Sequence, residues 1–267
     1  MSKPLGIIVY KGKSMLDGKP IVAIATGIDK KTANEKIGDM IPIWIMRADE
    51  NPVRAQKMGD DISVCPDDCK HKHFGSCYVN LHHGPGNVYR AFHNDRYEML
   101  NDENIKKFEG RNIRLGAYGD PTAVPLDVWD SICSLSSGYT AYTHNWRKKQ
   151  FNSYKKYCMA SVETDKESLQ ATSKGFRTFR ARTADEKVSK KEFVCPASKE
   201  GKQVTTCSKC KACSGTASKG KCPTIIVHGG GANGFRAKRF IEGMKKVRNK
   251  QRYKINYAER LELINSL

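Results

Sequence analysis

Asn112-Ile113-Arg114-Leu115-Gly116-Ala117-Tyr118 runs directly into Gly119-Asp120-Pro121. An apolar-rich run closed by Gly-Asp-Pro reads as a strand ending in a turn. Residues 126–135 follow with Leu126, Trp129, Ile132 and Cys133 at helical spacing. The alternation then repeats. Residues 139–143 and 157–162 read as strands, residues 166–173 as a helix stopped by Gly175, and residues 176–181 as a further strand. Phe193-Val194 and residues 224–227 complete the series. Strands alternating with helices imply parallel βαβ units. The chain therefore reads as α/β, an incomplete (β/α) TIM-like barrel of about six parallel strands.

Upstream, residues 6–25 alternate apolar and turn residues around Asp17-Gly18 and predict a β-hairpin. The run holding Ile41, Ile43, Trp44, Ile45 and Met46 is apolar throughout, and periodicity does not separate strand from helix there. Pro52 opens a short helix, Ser63-Val64 leads as a short strand into the first cysteines, and residues 86–95 read as helical. The expected organisation is an N-terminal extension over 1–60, a partial barrel over 61–232 and a basic helical tail over 233–267.

The length of 267 residues suffices for one large domain or two small ones. There are 47 Lys+Arg against 28 Asp+Glu, a formal net charge of +19. Such an excess favours nucleic acid or another polyanion as partner, without sequence specificity. A solvated basic surface is the plainer alternative. No run is long enough to cross a bilayer and the first residues do not read as a signal peptide, so a cytoplasmic protein is expected. In a reducing compartment, closely spaced cysteines point to metal rather than disulfides.

Seven of the ten cysteines fall into two groups. Cys207, Cys210 and Cys213 are spaced C-x2-C-x2-C, with Cys195-Pro196 upstream as a fourth ligand. Three thiolates on a short loop and one remote cysteine suit a [4Fe–4S] cluster; four thiolates suit zinc as well. The other group, Cys65, Cys69 and Cys77, leaves one coordination position open, and the neighbouring His71, His73, His82 or His83 offer a Cys3His zinc site instead. Cys133 and Cys158 read as core.

The candidate chemistry collects just after predicted strands, where barrel enzymes keep their active sites. Gly119 and Asp120, His144, Glu163 and the glycines Gly229 and Gly230 all lie at such ends. His144 and Glu163 are the candidate catalytic residues, Glu163 as a proton-transfer group. Gly229 and Gly230 form a turn or an anion-holding nest. Tyr142, His144, Asn145, Trp146 and Arg147 read either as a packed rim or as a base-stacking surface.

A three-cysteine loop, Gly119-Asp120 at a strand end and a partial parallel barrel together resemble the radical S-adenosylmethionine superfamily. The run from Arg114 to Pro125 and the step Cys77-Tyr78 are similar to phage and mobile-element proteins related to it, over about residues 64–227. The resemblance implies a [4Fe–4S] cluster on Cys65, Cys69 and Cys77, with S-adenosylmethionine chelated at its open iron. It places Asp120 near the amino group of that cofactor, a second cluster on the downstream cysteines, and the protein in a host cytoplasm. The second gap here is seven residues where the superfamily has two. The alternative reading is a zinc-stabilised nucleic-acid-binding protein without catalytic activity.

Overall fold

The computed structural model describes residues 5–29, 35–73, 75–228 and 232–234. Gly229, Gly230 and the basic tail, where a nest and a C-terminal helix are expected, lie outside the described residues.

The described residues contain ten strands. They are β1 (Gly6–Lys13), β2 (Pro20–Thr26), β3 (Ile41–Arg47), β4 (Glu98–Met99), β5 (Asn112–Tyr118), β6 (Gly138–Thr143), β7 (Met159–Val162), β8 (Thr178–Arg182), β9 (Glu192–Val194) and β10 (Cys222–Ile226). The helices are α1 (Pro52–Met58), α2 (Lys70–His73), α3 (Gly84–His93), α4 (Leu126–Leu135), α5 (Asp165–Ser173) and α6 (Cys207–Cys210). Two compact units divide the chain. The larger holds the whole sheet; the smaller takes in Lys70–Tyr78 and the described residues from Val227 onward.

All ten strands join in one sheet of order β4-β1-β2-β3-β5-β6-β7-β8-β10-β9. β1, β2 and β3 pair antiparallel; from β3 onward every pairing is parallel. The sheet begins at β4 and ends at β9, so it is not closed. The α/β class thus holds in a mostly parallel sheet of ten strands rather than about six. The expected hairpin forms as β1 and β2, with Gly18 at φ 77° in its turn, and β3 pairs it to the parallel strands.

Two readings change. The apolar run at 41–47 is strand β3, with Ile41, Ile43, Ile45 and Met46 all fully buried, which is why neither period shows in it. Ser63-Val64 is no strand: Asp60–Ser63 is a 3₁₀ turn, and the N–H groups of Val64 and Cys65 both donate to the Asp61 carbonyl.

One face of β5 and β6 (Ile113, Leu115 and Ala141) packs with Trp129, Ile132 and Cys133 of α4 in the main core. Trp129 anchors that contact, its indole N–H donating to the Pro121 carbonyl at 2.9 Å. Cys133 and Cys158 are core thiols, and burial pushes the pKa of both upward. Cys158 lies just before β7 rather than within it. No helix among the described residues is long and apolar enough to cross a membrane.

Candidate functional sites

The C-terminal ends of β5, β6 and β7 carry one linked polar network. Asp120 follows β5 and is 6% exposed. Its Oδ1 accepts from the Thr122 N–H and hydroxyl, at 3.0 and 2.7 Å. Its Oδ2 accepts from the Thr143 hydroxyl and the His144 N–H, both at 3.0 Å. Burial drives the Asp120 pKa up, and the bonds from Thr122 and His144 oppose that rise. Asp120 is therefore a brace between two strand ends. Its own N–H donates to the Val64 carbonyl, tying the loop of Cys65 and Cys69 to the same place.

His144 sits at this junction. Its Nε2 lies 3.8 Å from the Cys69 sulfur and 3.4 Å from Glu163 Oε1. Burial by itself would lower the imidazole pKa; the charge of Cys69, its hydrogen bond and Glu163 outweigh that and hold it well above the ordinary range. Glu163 follows β7 and is fully buried. The Thr164 hydroxyl caps α5 by accepting from the Glu167 N–H at 3.1 Å, and Glu167 Oε2 accepts from the Glu163 N–H at 2.9 Å. This reciprocal cap fixes the backbone from which Glu163 projects. A thiol, an imidazole and a carboxylate so arranged can exchange protons or bind a cation.

Gly119 has a backbone reason for being glycine. Its φ is 82°, and a Cβ there would stand 2.5 Å from the Ile45 carbonyl oxygen. The rim reading of the neighbouring aromatics fits better than base stacking. Trp146 is 1% exposed, donates to the Ser161 carbonyl at 3.0 Å and carries the Arg147 guanidinium 4.1 Å from its ring centroid.

The second site gathers four thiols. Cys195 follows β9, its N–H donating to the Thr224 carbonyl. Cys207 and Cys210 span the single turn of α6, which places them on one side three residues apart. Lys211 at φ 53° ends that turn and redirects the chain, so that the Cys213 carbonyl accepts from the Ala141 N–H of β6 at 3.2 Å. Arg177 clamps the segment by donating to the carbonyls of Ala212 and Lys221 at 2.7 and 2.9 Å. Burial raises the pKa values of Cys195, Cys207 and Cys213, the last to about 12. The charge of Cys210 adds to the rise in all three, and Cys207 packs against the apolar cluster that holds Cys195. Lys36 opposes the rise at Cys195, and Arg114 and Lys36 oppose it at Cys207.

Cys222 lies on β10, where its sulfur accepts from the Thr178 N–H at 3.4 Å. Cys77 is exposed in the smaller unit, where its N–H donates to the His71 carbonyl and the His71 ring bonds the Ser76 hydroxyl at 2.9 Å. Sequence reading passed over Arg114 as part of a site. The signal was there: an arginine between Ile113 and Leu115 inside an apolar strand is buried, and a buried charge has a partner.

No family model, curated protein or solved structure matches this chain.

Proposed function

We propose that this chain is an iron–sulfur enzyme. Its cluster is held by Cys195, Cys207, Cys210 and Cys213, and its reaction site lies along the C-terminal ends of β5, β6 and β7. The observation that supports this most is the C-x2-C-x2-C spacing of Cys207, Cys210 and Cys213, with the first two on the single turn of α6 and Cys207 packed against the cluster of Cys195. Four soft donors whose deprotonation is costly without a cation fit a thiophilic metal centre. Such a cluster supplies one-electron chemistry when bound. The chain's own residues supply the rest. Asp120 fixes His144, and Glu163 and His144 hold or pass a proton at the edge. In this reading the parallel strands are the wall of an incomplete barrel, and the +19 charge recruits a nucleotide or nucleic acid substrate in the cytoplasm.

The Asp120 carboxylate is occupied by four protein donors, and Gly119 answers to its backbone. No step is therefore assigned to S-adenosylmethionine there. The test is iron and acid-labile sulfide on protein purified without oxygen, with a visible spectrum. About four irons per chain is the expected result. Zinc alone would overturn the reading in favour of a structural metalloprotein.

A further inference from the structure

Cys69, His144 and Glu163, all in the larger unit, bring a sulfur, a nitrogen and an oxygen together. One atom, His144 Nε2, faces both of the others: Cys69 Sγ at 3.8 Å and Glu163 Oε1 at 3.4 Å. A charge-assisted hydrogen bond between an imidazole and a carboxylate closes to about 2.7–2.9 Å. The gap here is wider. It matches the edge of a ligand tetrahedron instead: ordinary zinc bond lengths hold nitrogen and oxygen about 3.4 Å apart, and nitrogen and sulfur about 3.6 Å apart. A small turn of the Cys69 side chain, which is half-buried on a loop, closes the remainder. The other two donors are held by their backbones. The Asp120 carboxylate accepts from the His144 N–H, and the reciprocal cap of Thr164 and Glu167 fixes the start of α5 beside Glu163. The Glu163 side chain is 1% exposed, and a carboxylate buried so deeply is stabilised by a cation. The His144 side chain keeps 15% of its surface, so an ion has a way in from solvent.

We propose that Cys69 Sγ, His144 Nε2 and Glu163 Oε1 bind one zinc ion. This centre uses none of the four downstream cysteines, so the inference goes beyond the iron–sulfur reading and does not depend on it. Binding forms three bonds from protein to zinc, and the Cys69 thiol proton and any proton on Nε2 leave to solvent. A thiolate and a carboxylate together carry two negative charges, which a divalent ion cancels in this buried place. Sulfur, nitrogen and oxygen donors in one set suit zinc, whereas magnesium and calcium take oxygen alone. Three protein ligands leave a fourth position for water or a substrate oxygen, the pattern of zinc sites that react rather than those that only hold a fold. In the zinc-bound state the ion takes the place of the proton between His144 and Glu163.

The experiment is equilibrium dialysis of the anaerobically purified full chain against zinc, with zinc and iron per chain measured by elemental analysis. One zinc per chain should depend on Cys69, His144 and Glu163 alike. Cys69→Ala, His144→Gln and Glu163→Gln should each weaken its binding at least about tenfold, since even groups that only touch a metal ligand are worth that much. The same zinc should persist in Cys207→Ala, whatever that variant does to the iron. A wild-type protein with no zinc that responds to the three residues would overturn the inference, while about four irons per chain would leave the cluster reading intact. Iron absent with this zinc retained would overturn the cluster reading alone. Loss of iron instead of zinc in Cys69→Ala would assign that thiol to a cluster and overturn the inference. Cys69→Ala truncates a half-buried loop thiol, so the test survives if a substitution at the buried Glu163 does not fold.

Discussion

The Cys69 sulfur lies 3.8 Å from Nε2 of His144, and the Asp120 carboxylate accepts from the His144 backbone N–H. An imidazole kept charged beside a thiol favours the thiolate, which is the reactive form. In reduced, chelator-treated protein, iodoacetamide should therefore modify Cys69 well before Cys133 or Cys158, which burial keeps protonated. His144→Ala should slow the Cys69 reaction several-fold. Peptide mass spectrometry over a time course reads both effects. Labelling of Cys158 as fast as Cys69 would contradict the burial, and an unchanged rate in His144→Ala would contradict the pairing.

The four downstream thiols should behave as one ligand set. Alanine at Cys195, Cys207, Cys210 or Cys213 should each remove most of the bound metal. Alanine at Cys222 should spare it, because that sulfur is engaged on β10 by the Thr178 N–H. Elemental analysis per chain decides this. Retention of full metal by Cys213→Ala would break the four-ligand assignment.

Gly119→Ala tests whether that glycine serves the backbone. At φ 82° a side chain is strained, and its Cβ would push into Ile45. Positive-φ strain alone costs of order 1–3 kcal/mol, and the close contact adds to it. Urea denaturation should show a loss of at least about 1 kcal/mol. Wild-type stability in the variant would return Gly119 to the role of a ligand contact.

Much of the larger unit was legible because its signals are local. β5 at Asn112–Tyr118 and α4 at Leu126–Leu135 match the expected spans, since both are bounded by turn or capping chemistry and carry clear periods. β3 was ambiguous because it is buried on both faces, and burial on both faces erases the alternation. The strand count fell short for a related reason: the hairpin looked self-contained, and its attachment to the parallel strands runs through β3. At the sites, C-x2-C spacing singled out the downstream thiols, and the single turn of α6 carries two of them. Arg114 and Tyr142 were harder to place because they meet across two strands, the guanidinium carbon 5.6 Å from the Tyr142 ring centroid. Only the register of β5 and β6 brings them together.

The last prediction concerns the buried pair that joins β8 to β9 across β10. Arg180 Nε and an outer guanidinium nitrogen donate to the two oxygens of Glu192 at 2.8 and 2.7 Å, with side chains 2% and 4% exposed. Burial pushes the Glu192 pKa up, yet the Arg180 and Ser189 hydrogen bonds outweigh it and leave the carboxyl below its usual value. A carboxylate whose folded pKa is depressed binds fewer protons folded than unfolded. Its contribution is therefore complete above the unfolded value, about 4.3, and is lost as pH falls through the lower folded value. Glu192→Gln removes the buried carboxylate from Arg180, leaving it Asp165 Oδ1 at 3.5 Å, and should cost about 3–5 kcal/mol at neutral pH. The Lys187 carbonyl, which accepts from Arg180 at 2.8 Å, should hold the cost toward the lower end. The variant should also lose part of the wild-type decline in stability between about pH 5 and 3. Urea titrations across that range measure both effects. A variant as stable as the wild type at neutral pH, with the same acid decline, would show that the pair does not hold β9 to the sheet.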